Sequence, residues 1–82
     1  MDPLLIVGQL TSKVQDHIDT TCAGRTHAFQ LRSGQAILRL ILQSRGRDPE
    51  GFTLKLGDPC YDGRYTARVE PRSAIDRLAD LA

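Results

Sequence analysis

The spacing of apolar residues changes along the chain, and each spacing predicts a different element. Over residues 4–18 apolar side chains recur every three or four positions, which is typical of one helical face. Asp2-Pro3 is a favourable helix start, and Gly24 is a favourable end. In a competing interpretation, residues 4–7 form a short strand and the helix begins later.

From residue 27 the period becomes two, and Ser33-Gly34 interrupts it with a turn signal. A two-residue loop there pairs Phe29 with Leu38, and it pairs every inner apolar residue of the first strand with an apolar residue of the second. A shift of one residue breaks this match. The pattern therefore predicts a β-hairpin over residues 25–44.

Two more alternating segments, 52–56 and 64–70, flank a turn-rich stretch and predict two further strands. Pro71 then opens a second helix. We therefore expect one domain, residues 1–82, of the α+β class. Its predicted architecture is a four-stranded antiparallel sheet with one helix before and one after it (α-β-β-β-β-α), with the helices on one face.

Residues 33–45 also fit a helix, and this alternative changes the fold. Ser33 would be its N-cap and Gly46 would follow its C-terminus. The order helix, helix, hairpin, helix then has the outline of a winged helix.

Charge is distributed unevenly along the chain. The net charge is only +1, yet five arginines and no acid lie between Arg25 and Arg47. The overall balance argues against a bulk polyanion binder and leaves room for a local basic patch.

Strand parity in the four-stranded sheet places five cations and two isoleucines on its outer face. Arginine forks bind carboxylates in two-point fashion, so we predict that this face contacts a protein partner with an acidic surface. An ordinary solvated face would explain its threonines and glutamines equally well. The predicted partner-binding residues are Arg32, Ile37, Arg39, Ile41, Lys55, Arg64 and Arg68.

Nucleic acid is the second choice of partner. Sheet proteins that bind single strands stack bases on exposed aromatic rings, whereas Phe29, Phe52 and Tyr65 have inward parity here. The winged-helix alternative would instead place Arg39 on a recognition helix and favour a DNA-binding transcriptional regulator.

Catalytic and metal-binding motifs are absent from the sequence, so no enzyme activity, cofactor or metal is predicted. His17, Cys22, His27 and Cys60 have ligand chemistry but lack the paired spacing of zinc sites.

The function predicted from these features is a small, non-enzymatic protein-binding module, as a monomer or homodimer. Domains of this size without catalytic residues often serve as adaptors or as phage-encoded inhibitors of host systems, including anti-CRISPR proteins. The sequence has no secretory signal and no apolar run of membrane-spanning length, so a cytoplasmic location without membrane contact is expected.

Overall fold

The computed structural model describes residues 3–59 and 63–72. Two helices are followed by one antiparallel hairpin. The elements are α1 (Pro3–His17), which continues into a π-helical turn (Ile18–Cys22), then α2 (His27–Ser44), β1 (Phe52–Pro59) and β2 (Tyr65–Pro71).

The predicted four-stranded sheet is wrong, because the segment assigned to its first two strands is helix α2. The helical alternative for residues 33–45 is correct in type, and the helix begins earlier, at His27. Thr26 caps it, since its Oγ1 accepts a hydrogen bond of 3.1 Å from the Phe29 N–H. The fold is still α+β, with a two-stranded sheet.

A period of four explains why this segment is helical. Gln30, Gly34, Leu38 and Leu42 are all buried, and they form one stripe along α2. The alternation that predicted the second strand of the hairpin also contains Leu38 and Leu42, because residues four apart have the same strand parity. Gln30 and Gly34 did not fit the hairpin core, since the first had outward parity and the second lay in the predicted turn.

Gly34 marks a close helix–strand contact and not the predicted turn. A Cβ atom at this position would lie 2.5 Å from Cδ2 of Leu54 and 3.4 Å from Cδ1 of Ile18. The missing side chain therefore lets α2 pack directly against β1 and the end of the first helix.

The predicted first helix is confirmed, and the strand alternative for residues 4–7 is wrong. Its buried stripe is Ile6, Leu10, Val14 and Ile18. Gly24 follows the π-helical turn with a φ of +79°, a conformation that favours glycine at the end of a helix.

The two later strands are also confirmed, and they pair in antiparallel register. Leu54 lies opposite Val69 and Leu56 lies opposite Ala67. Leu54, Ala67 and Val69 are buried and pack with the helix stripes, so both helices cover the same face of the hairpin. Pro71, predicted to open the second helix, is instead the last residue of β2. The rest of that predicted helix, from residue 73 onward, lies outside the described residues.

Candidate functional site

An open groove of about 600 Å³ lies beside the contact between α2 and β1 and is lined by residues of both elements. Its lining is mostly apolar, with arginines at the border. We call it the α2–β1 groove. It is formed by Ala28, Leu31, Arg32, Gln35, Ala36, Arg39, Thr53 and Leu54.

Helical spacing brings the α2 side of this groove together. Arg32, Gln35, Ala36 and Arg39 follow the i, i+3, i+4, i+7 spacing and therefore share one face of the helix. Opposite them, the buried Leu54 of β1 contributes to the apolar lining. The groove thus combines apolar surface with guanidinium groups from a single rigid element.

The two arginines of the groove differ in their partners. Arg32 is exposed, and among the described residues no carboxylate is ion-paired with it. Arg39 forms an ion pair with Glu50, which also lies 3.5 Å from Nη1 of Arg72. Both members of the Arg39–Glu50 pair are about half exposed, so this pair contributes little to stability.

The other predicted cations lie elsewhere, which corrects the expectation of one shared sheet face. Lys55 and Arg68 are exposed and directly opposite each other on the solvent side of the hairpin, and Nε of Arg68 is 2.9 Å from Glu70. Arg64 pairs with Asp19 at 3.2 Å. Arg32 and Arg39 are on α2, so helical geometry and not strand parity decides where they point.

Ile37 and Ile41 do not lie on an exposed sheet face as predicted, and their contact with a partner stays a prediction. Both are partly buried and pack against the hydrophobic core. In a strand their odd parity would have exposed them, whereas on α2 they flank the buried stripe. Apolar contact in the groove is provided instead by Leu31 and Leu54.

Four polar side chains that sequence reasoning did not assign to a site bind the edges of the hairpin. On β2, Gln30 Oε1 accepts from the Tyr65 N–H at 3.1 Å, Gln15 Oε1 accepts from the Ala67 N–H at 2.7 Å, and Thr11 Oγ1 accepts from the Val69 N–H at 3.2 Å. On β1, Gln35 Oε1 accepts from the Leu54 N–H at 3.0 Å. We call Thr11, Gln15, Gln30 and Gln35 the edge caps.

Gln30 is the most deeply placed edge cap. It is fully buried, and its Nε2 donates to the carbonyl oxygens of Arg25 at 2.9 Å and Gly63 at 2.8 Å. The available sequence signal was a polar residue in the apolar stripe of a helix, but this signal exists only once residues 27–44 are assigned as helical.

Histidine and cysteine side chains offer little chemistry. His17 Nε2 lies 2.8 Å from Ser33 Oγ, but no carboxylate orients this imidazole within the described part of the chain. Cys22 is buried, Cys60 lies outside the described residues, and the described His, Cys, Asp and Glu side chains form no group of three suited to a metal ion. The His17–Ser33 contact is best explained as a bond between the two helices.

Comparison with protein-family models, with curated proteins and with solved structures finds no match for this chain. Among the described helices, none combines the length and apolar character needed to cross a membrane.

Proposed function

We propose that the protein is a small, non-enzymatic binding module that acts in the cytoplasm and holds an acidic segment of a partner protein in the α2–β1 groove. The observation that carries the proposal is the position of Arg32 and Arg39 on one helix face at the border of an apolar concavity. Guanidinium groups bind carboxylates in two-point fashion, and the apolar lining accepts a hydrophobic side chain.

Arg32 supports this proposal because it is exposed and has no carboxylate partner among the residues described. Arg39 is held by Glu50, and the exposure of that pair makes exchange for a partner's carboxylate inexpensive. A ligand with two acidic residues would therefore satisfy both arginines, with Glu50 released towards solvent or Arg72.

Adaptors and inhibitors are the classes of protein that act by binding an acidic segment of a partner. A phage-encoded inhibitor of a host system, such as an anti-CRISPR protein, is one member of that class. The support is the small size of the chain and the lack of a catalytic motif in its sequence. The partner would be recognised by an acidic surface that also carries an exposed apolar side chain.

Charge reversal of both groove arginines is expected to weaken binding by at least about tenfold, since like charges across an interface repel. The protein is tested against an array of acidic heptapeptides, each with one central leucine. Wild type should bind members of this array, and the Arg32→Glu, Arg39→Glu double variant should lose that binding while it keeps the wild-type circular dichroism spectrum.

The matched control is the Lys55→Glu, Arg68→Glu double variant, which changes the net charge equally on the solvent side of the hairpin. It should bind the array like wild type. The proposal fails if both double variants lose binding equally, because bulk charge then explains the effect. It also fails if peptides with Asn and Gln in place of Asp and Glu bind as well as the acidic ones.

A DNA-binding regulator with winged-helix-like architecture is the second candidate. It is favoured by the order of elements, since the acid-free helix α2 is followed directly by the hairpin. If this function is correct, fluorescence anisotropy with duplex DNA should show binding that falls steeply as salt is raised. Binding that is absent at low salt would exclude it.

A further inference from the structure

We propose that the acidic segment binds in an extended conformation, as a third strand along the edge of β1. This inference rests on the proposed function and specifies how the same groove is used. Strand addition to an exposed sheet edge is a general way to bind peptides, with affinity from backbone hydrogen bonds and specificity from the side chains.

The two edges of the hairpin are treated differently by the helices. On β2, the outward N–H groups of Tyr65, Ala67 and Val69 each donate to an edge cap. On β1, the Leu54 N–H donates to Gln35. Leu56 has the same parity as Leu54, so its N–H also points away from β2, and among the described residues no side chain accepts from it.

The edge of β1 meets the groove at Leu54. Leu54 lies in the groove lining, and Gln35 spans from α2 to the Leu54 N–H. The amide oxygen of Gln35 lies where a backbone carbonyl of an added strand would accept the same hydrogen bond. Movement of one half-buried glutamine therefore exposes a second backbone donor beside that of Leu56.

The positive charge beside this edge favours an acidic peptide as the ligand. A strand placed here would lie beside Arg32 and Arg39 of α2. An acidic peptide with alternating apolar residues therefore matches both the charge of these two guanidinium groups and the period of two of a strand.

The test uses the blocked heptapeptide Ac-Glu-Val-Glu-Val-Glu-Val-Glu-amide and two N-methylated forms of it. In one form the odd-numbered residues are methylated, and in the other the even-numbered ones. In an added strand, only every second residue directs its N–H and C=O groups towards β1. Methylation of that set of N–H groups should weaken binding at least about tenfold relative to methylation of the other set. Equal binding of the two methylated forms would overturn strand addition.

Two protein variants provide a matched comparison at the edge. Leu56→Pro and Leu56→Ala both remove the leucine side chain, but only proline removes the outward N–H. Leu56→Pro should bind the heptapeptide at least about tenfold more weakly than Leu56→Ala, with both variants folded by circular dichroism. If proline unfolds the chain, the two methylated peptides measured on wild type still decide the question.

Failure of this inference can be told apart from failure of the proposed function. If the heptapeptide does not bind at millimolar concentration, or if methylation has no positional effect, strand addition is wrong. The proposed function then still stands provided that array binding depends on Arg32 and Arg39. If array binding is independent of those arginines, both proposals are wrong.

Discussion

Replacement of Gln30 by leucine is expected to lower the free energy of unfolding by about 2–4 kcal/mol, although the two side chains have similar volumes. Gln30 is fully buried and joins three backbone groups, which are the Tyr65 N–H and the carbonyls of Arg25 and Gly63. Leucine would leave these groups without their partner. Chemical denaturation, followed by circular dichroism, measures the change.

Gln35→Leu is the matched control, because it makes the same chemical change on the same helix. Gln35 is only partly buried and bonds a single backbone group, the Leu54 N–H, so a loss of about 1 kcal/mol is expected. Similar losses for the two variants would show that Gln30 does not fix the start of β2 to α2 in the way described.

A side chain at Gly34 should be the second strongly destabilising change. Gly34→Leu places new atoms where Leu54 and Ile18 already lie, since even a Cβ would be 2.5 Å from the Leu54 side chain. Overpacking of a core typically costs about 1–3 kcal/mol, and a whole leucine at a helix–strand contact belongs at the upper end of that range. Thermal and chemical unfolding should both show the loss.

Gly8→Leu separates this steric effect from helix propensity. Gly8 is exposed within α1, and a Cβ there would meet nothing within 4 Å. Leucine should therefore raise the free energy of unfolding by up to about 1 kcal/mol, because glycine is a poor helix former. A Gly34→Leu protein as stable as Gly8→Leu would show that α2 and β1 do not approach as closely as described.

The sequence predicts those elements whose pattern, taken over its full length, favours one interpretation. The three-and-four spacing continues as far as residue 18, which favours a helix although residues 4–7 alone also fit a short strand. The alternating segments around Leu54 and Val69 are too short for a helix. Residues 36–42 are almost entirely apolar, so they satisfy both periods. There, local pattern could not decide, and the outcome depended on tertiary contacts such as that between Gly34 and Leu54.

Prediction of the candidate site depended on that same segment. Arg32 and Arg39 were singled out for their charge, and they do lie together, but on a helix. Their grouping with Lys55 and Arg68 was wrong because it assumed that all four belong to one sheet. The apolar part of the groove could not be foreseen, because Leu31 and Leu54 meet only through the packing of α2 on β1.

The edge caps could not be predicted at all from local pattern. Gln15 and Ala67 are far apart in the chain, and nothing in either segment encodes their 2.7 Å hydrogen bond. A glutamine among leucines on a helix is a weak signal by itself. The role of such a glutamine can be recognised only when the structure shows an unpaired strand edge beside it.

The unequal capping of the two strand edges also bears on how copies of the protein can associate. A β-sheet fibre can grow only if every molecule has two open strand edges, so that it pairs with one neighbour on each side. Here the three outward β2 amides are already occupied, so two copies that meet through β1 would form a closed, self-complementary pair that leaves no open edge on the described strands for a third copy. We therefore expect backbone pairing through this hairpin to end at the dimer and not to extend into fibres.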